Sequence, residues 1–291
     1  MKNLLLLVSI TVGIFFPYGH KFTFLIRYFL MALLFFSFLD IKIDKNIVGI
    51  KHFIILVSLI AASFISYFVI YSFDKLLAQT AFITAIAPTA IAAPVIISLK
   101  KGKVEFTLFS LVLTNIVVTV ILPFILPLII NSGSDITFND ILLPVLITFT
   151  MPLILARLVK AASVSLWKKL IDLKDGSFYI LVVNVYLATS GASYYIRNNL
   201  TSDLSLVYHI GFVTALICVF LFTLGWFIGG KEYASEASQA LGQKNNSYTI
   251  WLAITFMNPV SVLGPVFYVL FQNTYISLDL YYHSRKSIPS D

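Results

Sequence analysis

The sequence predicts an all-α polytopic membrane protein of about ten transmembrane helices. Three observations carry that expectation. Hydrophobic residues make up 59% of the 291 positions and charged residues only 11%, against roughly 25% charged in a soluble domain. Apolar runs recur from end to end, each near the ~20 residues that span a bilayer's hydrocarbon. Two of the runs carry prolines six residues apart, Pro88/Pro94 and Pro259/Pro265.

The expected spans, in order, are Leu4–Pro17, Phe22–Leu39, Phe53–Phe73, Leu76–Leu99 and Val104–Ile130, then Ile141–Leu158, Phe178–Ile196, Leu206–Ile228, Tyr248–Gly264 and Pro265–Tyr282. The last two are compressed, and the longest polar stretch, Gly229–Ser247, is read as a loop. Nothing is left over for a soluble module, so the chain reads as one transmembrane domain, 1–291.

Basic residues orient these spans. With both termini cytoplasmic, only Lys21, Arg27, Lys75 and Arg197 of the 20 Lys and Arg fall outside. The rest, Lys244 included, fall on the cytoplasmic side, as the positive-inside rule requires of a plasma (inner) membrane protein. The net charge of +7 then belongs to loop anchors facing anionic lipid. Lipid, not nucleic acid, is the expected partner. The N-terminal run after Lys2 lacks a small-x-small cleavage site and is expected to be retained. Cys218 is alone, and no histidines pair at ligand spacing, so neither a disulfide nor a metal site is expected.

Ala85–Pro94 reads A-I-A-P-T-A-I-A-A-P. Each proline removes a backbone donor and clashes one turn back. In a membrane the freed groups survive only where protein or a wet cavity serves them. The stretch is expected to be a broken helix, as at solute sites of secondary transporters. Ten spans divide into two sets of five, about 1–132 and 133–291, and an odd number inverts the second set. Matching spans of inverted repeats should both be interrupted. Span nine, fourth of its set, carries Asn258-Pro259 and Gly264-Pro265. Pro123/Pro127 and Pro144/Pro152 are read as kinks or helix ends.

Ala87–Val104, A-P-T-A-I-A-A-P-V-I-I-S-L-K-K-G-K-V, with Leu122-Pro123 and Leu126-Pro127 after it, resembles the bile acid:sodium symporter family. Phe256–Pro259 (F-M-N-P) stands at the place of that family's glutamine-asparagine motif, and Leu270–Thr274 (L-F-Q-N-T) is similar to its W-H-N motif. Leu33–Asp40 resembles its second-helix end. The resemblance implies a panel of spans 1, 2, 6 and 7, a core of spans 3–5 and 8–10, and substrate between them beside the crossing of helices four and nine. It also implies sodium ligands that this chain lacks. Ile91 and Ala92 stand for a serine-asparagine pair, Ala253 for a glutamate and Met257 for a glutamine, while Gly49–Ser72 contains no glutamine. Thr107 is the remaining cation-binding candidate. Sodium coupling is therefore doubtful, and no other cofactor is expected. The short interval from Asn258 to Asn273 implies a truncated ninth helix.

Among individual residues, Thr89 either donates to a substrate oxygen or bonds back to the Ala85 carbonyl. Thr107, Ser110 and Thr114 share a face of span five, and that face must look at protein or water. Asn115, Asn258 and Asn273 join Thr89 as substrate-binding candidates. Pro88, Pro94, Pro259 and Pro265 mark the breaks. Asn184, Thr189, Ser190 and Ser193 either line a cavity or pack around Gly191. No carboxylate lies at mid-span, and no H-E-x-x-H, acidic pair or Ser/Lys pair suggests an enzyme. Two functions remain: a secondary carrier of a small organic anion, working by alternating access, or a transport-dead receptor or scaffold on a carrier fold.

Overall fold

The computed structural model describes residues 2–39, 48–130, 138–199 and 205–286. Every element among them is helical. The first five long segments give α1 (Lys2–Phe15), α2 (Leu25–Phe38), α3 (Ile50–Tyr71), α4 (Lys75–Ala85) with α5 (Ala93–Leu99), and α6 (Val104–Ile130). There follow α7 (Phe138–Ala162), α8 (Val164–Asp172), α9 (Ser177–Asn199), α10 (Ser205–Gly242), α11 (Asn246–Phe256) and α12 (Leu263–Lys286). Four of these, α3, α6, α7 and α10, are long and apolar enough to cross a membrane. Their exposed faces carry large apolar side chains such as Phe68, Val120, Leu143 and Phe212. Polar groups such as Ser63, Thr107, Thr148 and Thr214 are turned inward. Water would not tolerate that arrangement and lipid requires it, so the chain is membrane-embedded.

The expected span Leu76–Leu99 is indeed interrupted: α4 ends at Ala85 and α5 begins at Ala93. Asp74 starts α4 by accepting a 2.7 Å hydrogen bond from the Leu77 amide, a standard N-cap. The prolines of α6 and α7 lie inside continuous helices.

The larger departure is in α10. Its dihedrals leave the helical region at Gly230 (φ 62°) and at Tyr233 (φ −131°), which divides it into a long limb and a short return limb. Only glycine adopts such a positive φ without strain. The limbs run back to back, and Ser238 Oγ donates to the Phe222 carbonyl at 2.8 Å. A Cβ on Gly225 would strike the Ala237 carbonyl, and one on Gly229 would come within 2.6 Å of the Ala234 backbone. The stretch expected to be a loop thus turns back into the bundle, and residues 234–256 form a helix interrupted at 243–245. Helix therefore begins well before Tyr248, where hydropathy placed the start of an apolar run.

Two packing groups result. Helices α1, α2, α7 and α9 pack on one another, and α3 to α6 pack with α10 and α12. Helix α8 buries none of its residues. It is tied down where Trp167 Nε1 donates to the Leu39 carbonyl at 2.8 Å. Its separated apolar and basic faces suit an interfacial helix.

Candidate functional site

The two interruptions meet. Residues 86–92 and 243–245 run antiparallel as a short backbone bridge centred on Thr89 and Lys244. The Ala90 amide donates to the Gln243 carbonyl and the Asn245 amide to the Pro88 carbonyl, both at 2.8 Å. Each break therefore supplies the backbone partners that the other lacks, which is how irregular backbone survives inside a membrane protein.

Side chains complete the clasp. Thr89 is fully buried, and its hydroxyl donates to the Ala240 carbonyl at 2.5 Å. That carbonyl lies in the last turn of the return limb, where helix acceptors are left without helical partners. The Thr89 amide donates to Thr114 Oγ1 at 3.1 Å, and the Thr114 hydroxyl reaches Thr89 Oγ1 at 3.0 Å. Asn115 Nδ2 donates to the carbonyls of Thr89 (2.9 Å) and Leu111 (2.8 Å). The Thr89 hydroxyl bonds across the crossing and not back to Ala85. Thr114 and Asn115 do face the break.

The other expected residues lie elsewhere. Asn258 caps the 3-10 turn Pro259–Val262, where its Oδ1 accepts from the Val260 amide at 3.0 Å. Its Nδ2 is 3.5 Å from Tyr195 Oη. Pro259 opens that turn and Pro265 lies in the first turn of α12. These prolines mark the joint between α11 and α12. The joint packs against α4, with Thr80 donating to Ser261 Oγ at 3.2 Å, but it is not the break that meets Pro88–Pro94. Asn273 bonds back to the Val269 carbonyl at 2.6 Å. Its neighbour Gln272 is the one that reaches the crossing, where Oε1 accepts from the Lys244 amide at 2.9 Å. Thr107 is buried with its hydroxyl 3.5 Å from the Glu236 carbonyl. It joins α6 to the return limb, towards the end where Lys103 pairs with Glu232. No cluster of His, Cys, Asp or Glu suited to a metal is found among the described residues. Thr189, Ser190 and Gly191 pack α9 against Gly13, Gly19 and Thr23.

The residues missed at the sequence level are those of the second break. Gln239, Gln243, Lys244, Asn245 and Asn246 are all buried. Polar atoms on all five, Lys244 Nζ among them, have no hydrogen-bond partner among the described residues. Helical spacing of Ala234, Ala237 and Ala240 opposite Gly225 and Gly229 was the available signal.

A cavity of about 250 Å³ lies beside the first break. Ile91, Pro94 and Leu111 line one side of it, with Ser37 of α2 and Lys174 on the other. It thus separates the two packing groups. One end of the bundle gathers the basic connections. Lys51 Nζ caps the Gly229 carbonyl at 2.6 Å. Lys100 pairs with Asp279 at 2.8 Å, and Gln239 Nε2 donates to the same carboxylate at 3.3 Å. Lys103 pairs with Glu232 at 2.9 Å. The hydrogen bond to Glu232 is the main reason that the Lys103 ammonium is held above its ordinary range. Both partners are exposed, so the pair adds little stability.

Compared with known proteins, the chain matches no family model and no curated sequence.

Proposed function

We propose that this chain is a secondary carrier of a small organic anion. The observation that carries the reading is the meeting of two helix breaks, residues 86–92 and 243–245, inside a membrane-embedded bundle. Paired broken helices are the construction by which carriers place polar backbone at mid-depth. On this reading the chain has ten spans in two inverted sets of five. The fourth spans are α4 with α5, and the return limb with α11. Helices α1, α2, α7 and α9 are the panel, the rest the core, and the cavity beside Ile91 is the substrate's route between them. The topology keeps both termini and the basic end cytoplasmic, with Lys244 withdrawn from that side into the interior.

The resemblance to the bile acid:sodium symporter family supports the same reading once its ninth-helix motif is moved to the observed break. Gln243 then takes the glutamine place, Lys244 the asparagine place and Gln239 the glutamate place, five residues before Lys244. A second reading, a receptor or scaffold that moves nothing, draws on the Thr89–Ala240 bond, which fastens the two breaks together.

The test is counterflow of radiolabelled monocarboxylates in proteoliposomes, with Ser98→Trp to fill the cavity that Ser98 helps to line. The carrier reading expects exchange that Ser98→Trp abolishes. A well-folded protein that exchanges none of them supports the receptor reading instead.

A further inference from the structure

The least expected residue of the fold is Lys244. Its side chain is among the largest that are fully buried, 1% exposed, and Nζ has no hydrogen-bond partner among the described residues. Its backbone is doubly held, by the bridge to Thr89 and by Gln272. Tyr268, on α12, is committed to the Gly242 carbonyl at 2.7 Å. The acidic groups on the neighbouring elements are engaged elsewhere. Glu236 accepts from the Lys103 amide, and Asp279 binds Lys100 and Gln239. A lysine in this setting lacks a counter-charge, and a buried cation without one is strongly disfavoured. Around it Asn245 Nδ2 is a second unused donor, and Gln243 and Asn246 offer amides that can present either end.

We infer that Lys244 is a built-in cation that takes the carboxylate group of a small monoanion at the crossing, so that anion binding by this chain requires no metal cation. The inference rests on the carrier reading for its ligand class. A single ammonium fits a single carboxylate, and the adjacent amide donor fits its second oxygen. With a carboxylate bound, the lysine has the counter-charge that holds it as an ammonium, and a dissociable cation at the same place would be repelled by it. The cavity wall at Ile91 lies two residues from Thr89, the residue bridged to Lys244. Lys244 does not itself line that cavity, so the anion reaches it only when the panel and the core move apart.

The test uses the full chain purified in detergent. Thermal unfolding is followed in acetate, lactate and benzoate against chloride at equal ionic strength, each as the sodium and the choline salt. The expected result is stabilisation of the wild type by at least one carboxylate, equal in both cations. Lys244→Met should weaken the apparent affinity by roughly tenfold or more, the worth of a charge-assisted hydrogen bond. It should also unfold at a higher temperature than the wild type in chloride, because a buried amine without a partner is replaced by an apolar side chain of similar length. Lys244→Gln serves the same purpose if the methionine variant does not fold, and Lys244→Arg should keep a carboxylate response. A response that survives Lys244→Met or Lys244→Gln, a response that needs sodium, or no response in the wild type overturns the inference. Counterflow separates this from the carrier reading. Exchange unaffected by Lys244→Met removes the lysine and keeps the carrier, whereas Lys244-dependent binding without exchange keeps the lysine and removes the carrier.

Discussion

Replacing Thr89 by valine removes the hydroxyl and keeps the shape. The structure says what that hydroxyl does. It donates to the Ala240 carbonyl at 2.5 Å and receives the Thr114 hydroxyl at 3.0 Å. The lost bonds would be worth about 1 kcal/mol each, and a buried acceptor left without a partner costs about 1–3 kcal/mol. Thr114 has an alternative acceptor in the Leu111 carbonyl at 3.3 Å, so its loss is partly made good. The Ala240 carbonyl keeps no such alternative, because the Lys244 amide that would serve it in a continuous helix is turned to Gln272. Membrane interiors also allow the unfolded reference some compensation, which brings interhelical bonds nearer ~0.6–1.7 kcal/mol. Thr89→Val should therefore destabilise by about 2–3 kcal/mol in reversible detergent unfolding. Thr89→Ser, which keeps the hydroxyl and loses one methyl, should cost only about 0.8 kcal/mol. Because Thr89 and Thr114 touch, the double variant should fall short of additivity by roughly 0.5 kcal/mol or more. A serine variant as damaged as the valine variant, or strictly additive effects, would refute the clasp.

Other expectations follow from the same geometry. Gly242→Ala would put a methyl into the Phe222 ring; it should cost about 1–3 kcal/mol in thermal unfolding, and Phe222→Leu should recover part of it. Asn258→Ala should lose a cap worth about 0.5–2 kcal/mol and leave carboxylate affinity unchanged by ligand titration, since the residue stands away from the crossing. Asp279→Ala leaves Lys100 unpaired at a site where its side chain is only 10% exposed; unfolding should show a loss that Lys100→Met in the same chain partly restores. Cysteines introduced at Ser134 in a Cys218→Ser background, outside the described residues, should react with impermeant reagent from the non-cytoplasmic face only, and labelling from the cytoplasmic face alone would remove the ten-span topology.

Much of the helical layout was legible because lipid leaves so few options. Val104–Ile130 was read residue for residue as α6, since a long apolar run between a basic turn and a polar loop has one solution. The first break was legible because Pro88 and Pro94 each remove a backbone donor and clash one turn back within a run of small residues, although the prolines of α6 and α7 lie inside continuous helices. The second break was not legible, and the cause is specific. Hydropathy charges each side chain for its polarity and gives no credit for a buried partner. Gly229–Ser247 therefore looked like a loop, although Glu236, Gln239, Gln243 and Lys244 are all buried. The count of basic residues then absorbed Lys244 as one more cytoplasmic charge and hid the error. The prolines at Pro259 and Pro265 pointed to a different interruption, the joint between α11 and α12, and not to the break that meets residues 86–92.

The two breaks reach the same backbone state by opposite chemistry, and that difference bears on function. The first, I-A-P-T-A-I-A, is small and apolar, and it breaks because its prolines cannot do otherwise. Its only side-chain donor, Thr89, is used to hold the partner. The second, G-Q-K-N-N, contains no proline. It breaks because Gly242 permits close approach and because its amides go to Pro88 and Gln272 instead of the preceding turn. Apart from Asn246 Nδ2, which donates to the Lys244 carbonyl at 3.3 Å, its side chains are then free of backbone duty, and each keeps a polar atom without a partner among the described residues. One break thus supplies the frame and the other the recognising groups. A Lys244 variant should accordingly leave the frame standing while altering what binds, whereas a Pro88→Ala or Thr89→Val variant should loosen both together. If Lys244→Met disrupts the packing of α4 on the return limb as much as Thr89→Val does, as read by proteolysis or by crosslinking across the bridge, this division of labour is wrong.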